Sequence, residues 1–143
     1  MKKKILIVGS SGNLGEYLFK ELKKTNHLLG IERKKNLNSF ICKDLSNSNL
    51  NFETFKLIKK KYPKLDTIII CTGKSSKDLT VDIDNRFLNS FKSNLLTVSN
   101  TIESYQKIYK NKSTKIIVIS SIAALKVMEA PIEYSISKSA LNH

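Results

Sequence analysis

Two stretches of the chain combine residue types and spacings that chemistry can use. The first is Gly9-Ser10-Ser11-Gly12-Asn13-Leu14-Gly15, which interrupts the apolar run Lys4–Val8. Gly9 permits a tight turn out of a strand. Gly12 lets backbone approach a pyrophosphate, and Gly15 lets a helix pack close to the strand. A helix opening here offers N–H groups and partial positive charge to phosphate. The spacing Gly-x-x-Gly-x-x-Gly differs from the usual dinucleotide fingerprint. The second stretch is Tyr134-Ser-Ile-Ser-Lys138. On a helix, residues four apart share one face, so a phenol and an ammonium stand together.

Other residues fit a ligand lying across strand ends. Glu32 follows an apolar run, where a carboxylate can accept hydrogen bonds from an adenosine ribose. Arg33 and Lys34 come next, where cations can hold a 2′-phosphate. Glu32 therefore argues for NAD and Arg33 for NADP, and the choice stays open, as does a plain solvated charge cluster after a strand. Asp44 can bond an adenine amino group or serve as a turn or cap residue. Ser120-Ser121 closes another apolar run and puts a hydroxyl at the carboxyl edge of a sheet, where open α/β folds bind ligands. Asn94 sits within an apolar helical stripe. A buried amide without partners costs about 1–3 kcal/mol, so it should be bonded, to backbone across the helix–sheet interface or in a more specific role.

The elements that must position these residues follow from periodicity. Lys4–Val8, His27–Ile31, Phe40–Cys42, Asp66–Cys71 and Lys115–Ser120 are short apolar runs of the kind expected of covered strands. Leu14, Tyr17, Leu18 and Leu22 recur at helical spacing, as do Phe52, Phe55 and Ile58 before Pro63. A long helix is predicted over about 84–109, with the stripe Phe87, Phe91, Leu95, Val98, Ile102 and Tyr105, and a last helix near Ile132. Strands alternating with amphipathic helices give βαβ units, right-handed crossovers and a parallel sheet. The fold class predicted is α/β, a three-layer doubly wound Rossmann fold with five strands, forming one domain over residues 1–143.

Composition narrows the setting. The 143 residues carry a formal net charge of +13. The lysines are scattered, mostly at expected helix ends and loops, which reads as a solvated surface with a general attraction for phosphate. No nucleic-acid motif is present, and no nucleic-acid partner is expected. No apolar run approaches the ~20 residues of a membrane span, and none is expected. Met1–Lys4 precedes too short an apolar run for a signal peptide. Cys42 and Cys71 are read as buried thiols of a cytoplasmic protein, with no metal site.

Taken in order, Gly9-x-x-Gly12-x-x-Gly15, Asp44-Leu45, Cys71-Thr72-Gly73, Asn94, Ser121, Tyr134 and Lys138 resemble the short-chain dehydrogenase/reductase family. Ile117-Val-Ile-Ser-Ser-Ile-Ala-Ala124 followed by Tyr134-Ser-Ile-Ser-Lys138 is similar to its active-site stretch. Tyr134 comes thirteen positions after Ser121, as in the compact reductase branch. The glycine spacing instead resembles the extended branch, and Cys71-Thr72 replaces the common Asn-Ala.

The resemblance implies an NAD(P)-dependent oxidoreductase interconverting an alcohol and a ketone or aldehyde. Tyr134 would supply the proton. An ordinary phenol ionises near pH 10, and the Lys138 ammonium with the oxidised nicotinamide would favour phenolate. Lys138 would also hold ribose hydroxyls, Ser121 would hydrogen-bond the carbonyl oxygen, and Asn94 would position a water. Cofactor contacts are expected from Gly9, Ser10, Ser11, Gly12, Asn13, Leu14, Gly15, Glu32, Arg33, Asp44, Leu45, Thr72, Gly73, Tyr134 and Lys138. The resemblance also implies a chain that continues into further strands and a substrate loop. This chain is therefore read as truncated, with Ile116–Ile119 as an apolar sheet edge. It implies a homo-oligomer built on the long helix and the Tyr134 helix. Two competing readings are a dinucleotide-binding remnant without turnover and a basic nucleic-acid binder, which would need a contiguous lysine face.

Overall fold

The computed structural model describes residues 2–33, 39–74, 80–110, 113–126 and 128–143, without the side chains of Ser39 and Cys42. In chain order the elements are β1 (Lys4–Val8), α1 (Asn13–Leu22), β2 (His27–Glu32), β3 (Ser39–Cys42), α2 (Ser48–Lys61) and β4 (Thr67–Ile70). Then come α3 (Ile83–Phe91), a π-helical turn (Lys92–Leu96), α4 (Thr97–Tyr109), β5 (Lys115–Val118), a 3-10 turn (Ile122–Ala124) and α5 (Ile132–Leu141). The strands form one parallel sheet in the order β3-β2-β1-β4-β5.

The alternation of side chains along a strand builds three layers. Leu6 and Val8 of β1 join Leu29, Ile31, Ile68 and Ile70 on one face, where Phe55, Ile58, Val98 and Tyr105 of α2 and α4 cover them. Ile5 and Ile7 point the other way and pack with Ile69 and Phe19 of α1. Among the described residues, no helix is long and apolar enough to cross a membrane.

Register levels the strand ends. Val8 pairs with both Ile31 and Ile70, and Ile70 pairs with Val118. Four carboxyl ends therefore finish side by side. The chain moves outward from β1 to β2 and β3, then crosses back to β4. The crevice between β1 and β4 is thus a topological switch point, the place where open α/β sheets bind ligands.

The predicted long helix is interrupted. Its middle is the π turn, although no proline or glycine lies there. The buried face is also more polar than the predicted stripe. Ser90, Asn94, Thr97, Thr101 and Ser104 are buried beside Val98 and Tyr105, while Phe87, Phe91, Leu95 and Ile102 are only half-buried. β5 lies at the end of the sheet, with Ile116, Ile117 and Val118 half-buried. Its hydrogen-bonded strand ends at Val118, before Ser120.

At the opposite end of the sheet, Asp66 accepts the Lys4 N–H at 2.9 Å. That bond, reinforced by the Lys64 charge, holds its carboxyl below the usual 3.8, against the smaller opposing effect of desolvation. A depressed folded-state value means the contribution to stability is full above the ordinary value and is lost as pH falls through the folded one. Asp66→Ala is expected to lower the urea midpoint at neutral pH. The deficit should shrink as pH is lowered from about 5 toward about 2, checked by parallel urea titrations.

Candidate functional site

A groove of about 640 Å³ runs along the carboxyl ends of the strands. The Gly9–Gly12 turn, Glu32 and Arg33, Asp44 and Leu45, and Cys71-Thr72-Gly73 line it, with Asn89, Lys92, Ser93 and Thr97 closing one side.

The glycine turn is fixed by sterics. Gly9 has φ +87° and donates its N–H to the Ile31 carbonyl at 2.8 Å, so the chain leaves β1 in a conformation that disfavours any other residue. A side chain on Gly15 would overlap the Gly9 carbonyl oxygen and sit 3.1 Å from the Ser10 Cα. That close approach swings the start of α1 over the end of β1. Asn47 caps α2 and Asp82 caps α3, whereas among the described residues no side chain caps α1 or α5. The first N–H groups of α1 are left for another acceptor.

At the far end of the groove, Glu32 is buried and its carbonyl accepts the Lys43 N–H at 2.8 Å. Arg33 is exposed beside it, while Lys34 lies outside the described residues. Asp44 accepts the Ser46 N–H at 3.0 Å, the turn role open to it from sequence, and it still lines the groove.

Asn94 is fully buried in the π turn. Its Oδ1 accepts the Lys74 N–H at 2.8 Å, and its Nδ2 donates to the Lys74 carbonyl at 3.3 Å. Nδ2 also donates to the Ser90 and Ser137 hydroxyls at 3.1 and 2.8 Å. Ser90 in turn donates to the Glu133 carbonyl and Ser137 to the Tyr134 carbonyl. Every proton in this cluster has an acceptor, and the amide has one orientation. The bonding is thus to backbone and also to two hydroxyls.

Lys138 is 2% exposed. Its ammonium donates to the Thr72 carbonyl at 3.1 Å and the Ile119 carbonyl at 2.9 Å, joining α5 to the ends of β4 and β5. Burial holds its pKa below that of an ordinary lysine, with the Cys71 thiol acting weakly the other way. Burial pushes the Cys71 thiol up, and the Lys138 charge opposes this. Cys71 is half-buried rather than buried, and the Cys42 side chain lies outside the described residues. A Cβ placed on Gly73 would lie 3.2 Å from the Lys138 Nζ and 3.8 Å from the Asn94 Oδ1, so both polar groups lie close to Gly73. Ser121 caps the 3-10 turn, accepting the Ala123 N–H at 3.2 Å. That turn is tied to α5 by the Ser139 hydroxyl on the Ala124 carbonyl. Tyr134 is half-buried in the first turn of α5, one turn before Lys138.

The sequence-predicted residues therefore fall into two groups. Gly9, Ser11, Gly12, Glu32, Arg33, Asp44, Leu45, Thr72 and Gly73 line the groove; Ser10, Asn13, Leu14 and Gly15 flank it in the turn and the opening of α1. Asn94, Ser121, Tyr134 and Lys138 lie outside the groove lining; Lys138 reaches it at Thr72 and Gly73, and Asn94 at Gly73. Sequence reasoning missed Lys43, Lys74, Lys92, Asn89, Ser93 and Thr97. A small-polar stripe at helical spacing (Ser90, Asn94, Thr97, Thr101) was the available signal for the helix that carries four of them.

The doubly wound sheet with a glycine turn at its switch point defines a class of nucleotide-fold proteins. Within it, the chain belongs to the short-chain dehydrogenase family, whose model matches residues 3–143. No curated protein matches it in sequence. Among solved structures it is similar to ligand-free aldohexose dehydrogenase from Thermoplasma acidophilum, at 16% identity and a TM-score of 0.85 over 98% of this chain and 57% of that one. It is similar to ElxO, at 24% identity and a TM-score of 0.84 over 99% of this chain and 64% of that one. ElxO was solved with NADP bound and, as a tyrosine-to-phenylalanine variant, with NADPH bound. The KRED1-Pglu enzyme matches at 18% identity and a TM-score of 0.85, over 99% of this chain and 65% of that one. The chain thus spans 57–65% of the length of these three structures.

The turn sterics separate two glycines. Gly15→Ala is expected to destabilise by roughly 3 kcal/mol or more, because backbone and not a flexible side chain must move. A Cβ on Gly12 would meet only the Gly9 carbonyl oxygen, at 3.6 Å, so Gly12→Ala should stay within about 0.5 kcal/mol of the parent. Urea unfolding of both variants checks the contrast.

Proposed function

We propose that the protein is an NAD(P)-dependent oxidoreductase that interconverts an alcohol and a ketone or aldehyde. The carrying observation is the junction at Gly73, where the buried Lys138 ammonium and Asn94 border a groove that begins at the uncapped start of α1. The residues present fit a dinucleotide. Gly9 and Gly12 keep side chains off the groove floor, and the first turn of α1 favours phosphate. Glu32 and Arg33 stand where an adenosine ribose would lie, with a carboxylate for hydroxyls and a cation for a 2′-phosphate. NADP in ElxO supports the same ligand class here.

The nicotinamide, when bound, supplies or accepts the hydride. Tyr134 gives its phenolic proton to the carbonyl oxygen of the substrate in reduction and takes it back in oxidation. Lys138 sets a positive charge one helical turn from that phenol. With two of its protons on the Thr72 and Ile119 carbonyls, its third is free for a ribose hydroxyl or a water. Ser121 steadies the substrate oxygen. Asn94 fixes the Lys74 backbone and the α5 serines, which holds the wall of the site in place.

The test follows NADH and NADPH oxidation with a panel of aldehydes and ketones, alongside dinucleotide binding by fluorescence. Tyr134→Phe is expected to lower kcat by at least about 100-fold while leaving dinucleotide affinity within about twofold of the parent. Full turnover in that variant removes Tyr134 from the reaction. Failure of the parent to bind either dinucleotide overturns the reading.

A further inference from the structure

The Glu133 side chain is completely buried in the first turn of α5, one residue before Tyr134. Its closest cation is Arg86 of α3, with Nη1 at 3.7 Å from Oε1. That separation is an ion pair without a hydrogen bond. Among the described residues, neither carboxylate oxygen has a hydrogen-bond partner, and the buried Arg86 Nε has none. Such a pair is a poor source of stability, because desolvating two charges offsets their attraction and well-packed apolar side chains often do as well. What it adds is directional: it favours placements of α5 on α3 that keep the opposite charges close.

A second contact works on the same turn. The Ser90 hydroxyl of α3 donates to the Glu133 carbonyl at 3.1 Å. The carbonyl of Tyr134, next along, accepts the Ser137 hydroxyl at 2.8 Å, and Asn94 donates to both serines. The backbone on the carboxyl side of Glu133 and of Tyr134 is therefore held by side chains tied into one network.

We propose that Arg86, Glu133 and Ser90 are positioning residues for Tyr134, fixing the first turn of α5 against α3 in a single register. The proposal rests on the reading of Tyr134 as the proton donor. The three residues touch neither the groove nor the reacting atoms; they set where the phenol stands.

The experiment uses protein carrying [13Cζ]tyrosine, with the Tyr134 signal assigned by its loss in Tyr134→Phe. Arg86→Met/Glu133→Leu replaces the pair with an apolar contact and is expected to melt within a few degrees of the parent. Its Tyr134 signal should nonetheless be displaced or split, and Ser90→Ala should displace it in the same direction. Where turnover is measured, kcat should fall about tenfold or more at unchanged KM for the dinucleotide. A double variant with both the parent's Tm and the parent's Tyr134 signal overturns the proposal. Should the double variant not fold, an unmoved Tyr134 signal in Ser90→Ala overturns it equally. The dinucleotide reading is judged apart, by adding NADH or NADPH to the parent. No shift in the glycine-turn amides sinks that reading and leaves the positioning result as measured.

Discussion

The Lys138 ammonium carries more of this architecture than any other single group. It is buried, and burial alone disfavours its charge. Two backbone carbonyls, from the segments after β4 and β5, compensate. Those carbonyls are available because both strands have just ended and their ladder has no further partner at that level. The lysine thus does two structural things at once: it satisfies strand ends and pins α5 to the sheet. Gly73 packs directly over it, where a side chain would crowd the ammonium. Tyr134 stands one turn earlier on the same helix, so this contact anchors one end of the segment that carries it.

The α3–π–α4 helix completes the arrangement from the other side. A π turn adds a residue to the helix and rotates everything before it relative to everything after. Here the rotated part buries Ser90 and Asn94 against α5, while Val98 and Tyr105 beyond the turn pack on the sheet. One helix can therefore serve two different surfaces, a polar one toward the Tyr134 helix and an apolar one toward the core. Thr97 closes the turn by donating its hydroxyl to the Lys92 carbonyl at 3.0 Å.

Much of this was legible in the sequence where one signal decided the outcome. Continuous apolar runs marked all five strands, and the doubly wound class followed from their alternation with helices. The glycine turn was readable residue by residue, because Gly9 and Gly15 answer to sterics alone. What was not legible depended on packing between distant segments. Nothing in Lys92–Leu96 announces a π turn, and an apolar-stripe reading finds Val98 and Tyr105 but passes over the buried Ser90, Asn94, Thr97 and Thr101 beside them. Ser121 reads as the end of a strand, yet the strand stops at Val118 and Ser121 starts a new turn. Asp44 illustrates the other kind of limit: the turn bond to Ser46 and a place on the groove are compatible, and sequence cannot choose between two roles that coexist.

The helices differ in how their first turns are capped. Asn47 and Asp82 supply side-chain caps to α2 and α3, contacts that typically contribute about 1 kcal/mol each. Gly12 supplies none to α1, the helix that begins at the groove, and Pro131 supplies none to α5. A serine or aspartate at Gly12 would satisfy the helix end but would also place an oxygen where the proposed dinucleotide's phosphate would sit. Leaving the N–H groups open forgoes that stabilisation in the free protein, and on the proposed dinucleotide reading a phosphate would restore it. The same logic separates the two ends of the molecule. Opposite the groove, Asp66 holds the Lys4 N–H and is fully committed to the fold, whereas at the groove the backbone donors of α1 are kept uncommitted by the residue least able to bond them.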